Sequence, residues 1–250
     1  MEQNAIKENV GREAAAFLVK SGMRIGLGTG STVVHAVRHI GLLMKEGKLK
    51  DILAVSTSFQ TSIECEKLGI PIFTFNSREI GGTLDLTIDG ADEVDPENRL
   101  IKGGGGALLM EKIAAYMSAS FAVVVDESKL VENLGIKFPV PVEVIPEARV
   151  PVSMALEGLG AEVMLREALR KAGPVITEHG NLIFDIRFKD KVDVNALERE
   201  LNQIPGVVEN GFFTGPKATG NALSQSLRPL SPWRPEIFIG LADGKVQRRS

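Results

Sequence analysis

Three short segments hold residues whose types and spacing could do chemistry. In Gly26-Leu27-Gly28-Thr29-Gly30-Ser31-Thr32, glycines let a ligand approach the backbone, and two hydroxyls stand where a helix begins. The free N–H groups and positive dipole end of such a helix favour an anion. The segment lacks the lysine of a nucleotide P-loop, and Ser31 occupies the place where a dinucleotide fingerprint would close with a glycine. A phosphate fits it; so does a plain tight turn capped by Ser or Thr. The second segment, Asp89-Gly90-Ala91-Asp92-Glu93-Val94-Asp95, gathers carboxylates. Their spacing fails the calcium-loop pattern, which argues against metal and leaves acid-base work or a solvated acidic turn. The third is Lys102-Gly103-Gly104-Gly105-Gly106, with Glu111 nine residues after the lysine. Four glycines in a row sacrifice much backbone entropy, and close approach of a ligand is a better reason for them than a mere connector. Ala107, Leu108, Ala114 and Ala115 occupy the helical neighbour positions of Glu111, expected in the second turn of its helix. Such surroundings raise a carboxyl pKa toward neutrality and suit a general base, the alternative being an exposed Glu beside Lys112.

Each segment falls where a strand should end, the place at which an open parallel sheet presents its ligand site. The pattern predicts a helix over Ile6 to Lys20, a strand over Met23 to Leu27 and a helix over Thr32 to Lys45. A strand over Ile52 to Val55 follows, then a helix opened by a Thr57/Gln60 capping box and a strand over Ile70 to Phe75. Alternation in Leu84 to Asp89 puts Asp85, Thr87 and Asp89 on one strand face. A helix over Ala107 to Ser120 precedes a buried strand, Phe121 to Val125. Beyond Phe138 to Pro141 the order is strand (Val142 to Ile145), helix (Val152 to Leu159), strands near Val163 and at Val175 to Thr177, a turn at His179 to Asn181, strand (Leu182 to Phe188) and helix (Asn195 to Gln203). Gly206 to Phe213 leads back out. That order suggests a small ferredoxin-like layer. The fold class is α/β: an open, mostly parallel Rossmann-like sheet with helices on both faces, plus a smaller ferredoxin-like α+β domain. Residues 1–135 and 207–250 are expected in the larger domain and 136–206 in the smaller.

The 250 residues, 44% of them hydrophobic, suffice for an ordinary core. A net charge of −3 gives no case for a nucleic-acid binder or a basic membrane-surface protein. Cys65 stands alone, so no intrachain disulfide forms, and no Cys/His spacing suits zinc. Acidic residues break up the N-terminus, no apolar run is long enough to span a bilayer, and a cytoplasmic location is expected. His35, His39 and His179 match no role.

Together the segments resemble type A ribose-5-phosphate isomerases over Lys7 to about Gly215. The likeness rests on GTGST (Gly28 to Thr32), DGADE (Asp89 to Glu93), KGGGGALLMEK (Lys102 to Lys112) and DESK (Asp126 to Lys129), in order, with PVEVIPEA (Pro141 to Ala148) and GVVENG (Gly206 to Gly211) beyond them. The resemblance implies interconversion of ribose 5-phosphate and ribulose 5-phosphate by a homodimer or homotetramer, without metal or organic cofactor. It implies Glu111 as the base, Lys102 and the N–H groups of Gly103, Gly104 and Gly105 as stabilisers of negative charge, and Asp89 and Asp92 as holders of the sugar hydroxyls. Thr29, Gly30, Ser31, Thr32, Gly90 and Ala91 would line the substrate, with Lys7 and Lys129 near the phosphate. A non-catalytic sugar-phosphate sensor and a coenzyme-A transferase of similar fold are the rival readings; the first has no use for Lys102 and Glu111 at this spacing, and the second needs room for a long thioester. Pro216 to Pro235, rich in Pro, Ser and Gly, departs from the family pattern and is expected to be a surface loop remote from catalysis.

Overall fold

The computed structural model describes residues 2–215 and 234–250. In chain order the elements are α1 (Gln3–Leu18), β1 (Arg24–Leu27), α2 (Val33–Lys45), β2 (Leu53–Ser56), α3 (Phe59–Leu68), β3 (Leu84–Asp89), β4 (Glu93–Val94) and β5 (Leu100–Ile101). Then follow α4 (Leu108–Met117), β6 (Ser118–Asp126), β7 (Val140–Val144), α5 (Arg149–Gly158), β8 (Glu162–Leu165) and β9 (Leu182–Arg187). The last are α6 (Val194–Leu201), β10 (Val207–Asn210), β11 (Phe212–Phe213), β12 (Glu236–Gly240) and β13 (Val246–Arg249). The chain forms two compact units: the described residues of Met1–Gly90, Met110–Lys129 and Gly215–Ser250 make the first, and Ala91–Leu109 with Leu130–Thr214 the second.

The first unit is built on a six-stranded sheet in the order β13-β12-β6-β3-β1-β2, parallel except for β13. Ile25 and Leu27, Leu86 and Ile88, Ala122 and Val124, and Phe238 share a core with Val10 and Ala14 of α1 and Val33, Ala36, Val37 and Ile40 of α2. Thr87 points the other way, its hydroxyl donating to the Ala114 carbonyl at 3.2 Å, which places α4 on the opposite face. Helices therefore cover both faces, as the sequence pattern requires. The chain leaves β1 toward β2 and returns on its other side to β3, so the connections diverge between β1 and β3, where the carboxyl ends of strands make a crevice.

The second unit holds a four-stranded antiparallel sheet in the order β10-β7-β9-β8. With α5 after β7 and α6 after β9, this is the ferredoxin-like arrangement. Val142, Val144, Phe184 and Ile186 pack with Val152, Leu156, Leu197 and Leu201. A small sheet, β11-β5-β4, completes the unit. The unit is wider than the expected 136–206. β10 pairs with β7, and β11 ties β5 to the core through Phe212 and Ile101, so 91–109, 130–135 and 207–214 pack with it.

Several local expectations are corrected. The stretch Ile70 to Phe75 makes one bridge, Ala54 to Ile72, and no strand, because Pro71 has no N–H to extend a ladder. Val175 to Thr177 makes only the Ile176–Leu182 bridge before the turn in which Gly180 has a φ of 79°. The cap of α3 is Ser58, whose Oγ accepts from Thr61 N at 3.3 Å; Thr57 is still bound to the sheet, its N–H donating to Leu27 O at 3.1 Å. The basic C-terminus forms β13, where Arg248 pairs with Glu236 and its guanidinium lies 3.9 Å from the Phe17 ring centroid. Pro216 to Trp233, the bulk of the expected surface loop, lies outside the described residues. On α2, burial first, and then Arg38 and Arg12 respectively, hold His35 and His39 below the usual imidazole range.

Cys65 is wholly buried on α3, and burial, followed by the charge of Glu64, pushes its thiol up to about 12. At about pH 8 the native chain is therefore expected to resist a thiol-reactive disulfide reagent that labels the urea-unfolded chain at once. Equal labelling rates for both forms would contradict this.

Candidate active site

In the first unit, the turn after β1 and the end of β3 are locked together. Asp89 is fully buried, and its Oδ1 accepts from Thr29 N at 3.1 Å and Gly90 N at 2.7 Å. A Cβ at Gly28 would lie 2.0 Å from that oxygen, and one at Gly26 would lie 2.1 Å from the Thr87 hydroxyl. These two glycines are thus required by the side chains of β3 lying across β1. Gly30 is different: its φ of 127° needs glycine for the turn itself.

Around this lock sits a group of hydroxyls. Thr29 Oγ1 is 2.7 Å from both Thr57 Oγ1 and Ser58 Oγ, and Thr61 Oγ1 donates to Gly28 O at 2.6 Å. Thr29 stands out in the sequence by its place in the glycine turn, whereas Thr57, Ser58 and Thr61 carry no such local signal, because their link to it depends on β1 and β2 being neighbours. Thr32 stands at the N-cap of α2 without a side-chain capping bond, so the plain capped turn is not what forms. Lys7 reaches over from α1, its Nζ donating to Ser31 Oγ at 3.0 Å. The structure therefore brings Lys7, Thr29, Gly30, Ser31, Thr32, Asp89 and Gly90 to one end of the parallel sheet. Lys129 ends a short 3-10 turn after β6, in which Asp126 Oδ1 accepts from Ser128 N at 3.0 Å.

Glu111 lies in the first turn of α4, one turn earlier than expected, because the helix starts at Leu108 rather than Ala107. It is 3% exposed and Lys112 is 6% exposed, so the exposed-pair alternative is excluded. Ala114 and Ala115 beside it are fully buried.

In the second unit, Lys102 is 2% exposed, its N–H donating to Gly211 O at 2.9 Å and its Nζ lying 5.4 Å from the Phe213 ring centroid. Gly103 to Gly106 form a turn closed by Gly106 N on Gly103 O at 2.9 Å. Gly103 and Gly106 have φ values of 103° and 77°, and a Cβ at Gly104 would lie 2.7 Å from Asp92 Oδ1. Asp92 holds this turn, its Oδ2 accepting from Gly104 N at 2.8 Å. Ala91 precedes it at the start of the unit. The other acids of the segment are structural. Glu93 is fully buried and accepts from the N–H groups of Gly135, Lys137 and Phe138, each at 2.6 Å, while Asp95 holds the turn at Glu97 to Arg99. Among the described residues no group of three or more His, Cys, Asp or Glu side chains is placed to hold a metal ion.

Comparison with known proteins matches residues 53–224 to the family model of ribose 5-phosphate isomerase A (phosphoriboisomerase A). The curated ribose-5-phosphate isomerase A of Treponema denticola is 55% identical over 254 residues, covering 99% of both chains. The chain belongs to the ribose-5-phosphate isomerase A family. The enzyme of that name from Thermosynechococcus vestitus is 50% identical over 85% of this chain and 90% of its own. A solved ribose 5-phosphate isomerase A from Methanocaldococcus jannaschii superposes with a TM-score of 0.85 at 41% identity, covering 98% of each chain. A D-ribose-5-phosphate isomerase in complex with phospho-erythronic acid gives a TM-score of 0.87 at 39% identity over 100% of each chain. The family model itself extends past Gly215, to residue 224.

The lock between Gly28 and Asp89 can be tested by Gly28→Ala. The added methyl has no room while two N–H groups hold Asp89, and overpacking of this kind is expected to lower the unfolding free energy by about 1–3 kcal/mol. Urea denaturation measures it, and a variant as stable as the parent would refute the contact.

Proposed function

We propose that this chain interconverts D-ribose 5-phosphate and D-ribulose 5-phosphate, an aldose–ketose isomerisation through a cis-enediolate. The observation that carries this reading is Glu111, a carboxyl 3% exposed on a helix that follows the glycine turn, in a chain of this family. Moving a proton between adjacent carbons needs one base that reaches both, and a single rigidly held carboxylate suffices. Glu111 takes the proton from C2 of the open-chain aldose; the electrons of that C–H bond form the C1=C2 double bond and the carbonyl π pair moves onto O1, giving the enediolate. The hydroxyl proton of O2 passes to O1, and as the C2 carbonyl forms Glu111 returns its proton to C1, which leaves the ketose. Lys102 and the glycine turn stabilise the charge that grows on the sugar oxygens. Asp89 and Asp92 hold hydroxyls, and one of them assists opening of the furanose ring. Thr29 to Thr32 line the substrate, with Lys7 and Lys129 toward its phosphate.

The reading needs no metal and no organic cofactor. It also places the protein in the cytoplasm as a homodimer or homotetramer; among the described residues no helix is long and apolar enough to cross a membrane. A sensor of similar fold would bind the sugar phosphate without turning it over, so turnover itself separates the two readings.

Ribose 5-phosphate mixed with the purified chain in excess EDTA should yield ketose, and absence of turnover would overturn the proposal. Glu111→Gln keeps the shape and removes the base, so turnover should fall by at least about a hundredfold with binding nearly intact. Exchange of the C2 proton with solvent deuterium should vanish with it, and isomerisation near the parental rate would remove the assignment. Lys129→Ala should weaken binding of ribose 5-phosphate in calorimetry more than it slows turnover. Normal binding with slow turnover would show that Lys129 does not serve the phosphate.

A further inference from the structure

We propose that Arg166 is a positioning residue for the glycine turn, fixing the peptide planes that aim its N–H groups. Arg166 follows directly on β8, and its own backbone is pinned: its N–H donates to Ile183 O at 2.9 Å and its carbonyl accepts from Val175 N at 2.9 Å. Asp185 lies diagonally across on β9, two residues beyond Ile183. Nε donates to Asp185 Oδ2 at 2.8 Å and Nη2 to Oδ1 at 2.5 Å, so the planar guanidinium is gripped at two points and held flat. Its remaining nitrogen, Nη1, donates to Gly103 O at 2.9 Å and Gly104 O at 3.2 Å. The two side chains are only 14% and 13% exposed.

The peptide group is planar and trans, so a carbonyl anchored on one side fixes the direction of the next N–H on the other. Anchoring Gly103 O sets the N–H of Gly104, which donates to Asp92 Oδ2. Anchoring Gly104 O sets the N–H of Gly105. In a stretch of four glycines, where no side chain restrains φ and ψ, such outside anchors decide the conformation. The turn is held by Asp92 on an N–H and by Arg166 on two carbonyls. Because Asp185 neutralises the guanidinium, its contribution is direction rather than net charge. A lysine, with one nitrogen and no fork, cannot hold Asp185 and both carbonyls together.

The inference rests on the isomerase reading, in which the turn stabilises the enediolate. The test measures steady-state kinetics with ribose 5-phosphate on Arg166→Met, Arg166→Lys and Arg166→Ala, well below each thermal midpoint, with backbone amide exchange across Gly103 to Gly106. A misaimed donor weakens transition-state binding more than ground-state binding, so in Arg166→Met kcat should fall by about tenfold or more while KM stays within about threefold. Arg166→Lys should restore little, and millimolar guanidinium should restore part of the kcat of Arg166→Ala. A kcat within about twofold of the parent, or a loss borne wholly by KM, would overturn the proposal. If the parent chain does not isomerise ribose 5-phosphate, the function proposed above fails separately, and amide exchange decides this inference. Faster exchange at Gly103 to Gly106 in Arg166→Met upholds the clamp, and unchanged exchange overturns it. Should Arg166→Met not fold, Asp185→Asn, which loosens the grip and keeps the guanidinium, takes its place with the same two readouts and the same directions.

Discussion

The buried carboxylate of Asp89 is the constraint around which the first unit is arranged. A carboxylate removed from water is costly unless hydrogen bonds replace its hydration, and bonds to a charged group are worth about 1.5–3 kcal/mol each. Two of the N–H groups that meet this demand, those of Thr29 and Gly90, belong to the turns after β1 and β3. Satisfying Asp89 therefore shapes both turns at the point where the strand connections diverge. The same side chain makes Gly28 obligatory, and Thr87 makes Gly26 so. The glycines that look like a ligand cradle in the sequence are in part a record of what lies across the neighbouring strand.

The second unit solves a related problem with the opposite chemistry. Its glycine turn has little intrinsic preference, and the restraint comes from polar groups brought in over long separations: Asp92 from the preceding segment, Arg166 and Asp185 from β8 and β9. A sheet positions such groups well, because register fixes which side chains share a face. Arg166 and Asp185 meet only because β8 and β9 are antiparallel with Leu165 opposite Phe184. Gly103 and Gly106 also carry the backbone angles that only glycine adopts easily, so turn geometry and ligand approach are compatible reasons for the same residues.

What the sequence made legible follows from this difference in range. Leu84 to Asp89 was readable to the residue because alternation and a following glycine are local signals, and the parallel sheet followed from β-branched runs between helices. Cap placement was off by one at Ser58, since Thr57 offered the same chemistry and only the backbone bond to Leu27 decides between them. Strand length failed at Ile70 to Phe75 and Val175 to Thr177, where the apolar composition is right and a neighbouring strand is present, but Pro71 interrupts the first ladder and the turn at Gly180 ends the second after one bridge each. β13 has no apolar run to announce it, since Val246 to Arg249 is mostly polar, and Arg248 lies against Phe17 and Phe238. Arg166 left no trace: a single arginine in a charged stretch has no spacing to betray its partners.

The acidic segment shows how burial separates residues that composition lumps together. Asp92, Glu93 and Asp95 all accept backbone N–H groups, yet the three are not equivalent. Glu93 has three donors spread over both oxygens, and Asp95 has two N–H groups on Oδ1 with Arg99 on Oδ2. Both are almost wholly buried, which leaves no side open to a ligand. Asp92 is only partly buried and commits Oδ2 to Gly104. It thus ties the orientation of the glycine turn to a carboxylate that is not sealed from solvent. Asp92 stands before β4 and Asp95 follows it, whereas Glu93 opens that buried strand. The adjacent acid stitches the loop at Gly135 to Phe138 onto the same short strand, so the residue that handles substrate in the proposed reaction is steadied by one that never meets it.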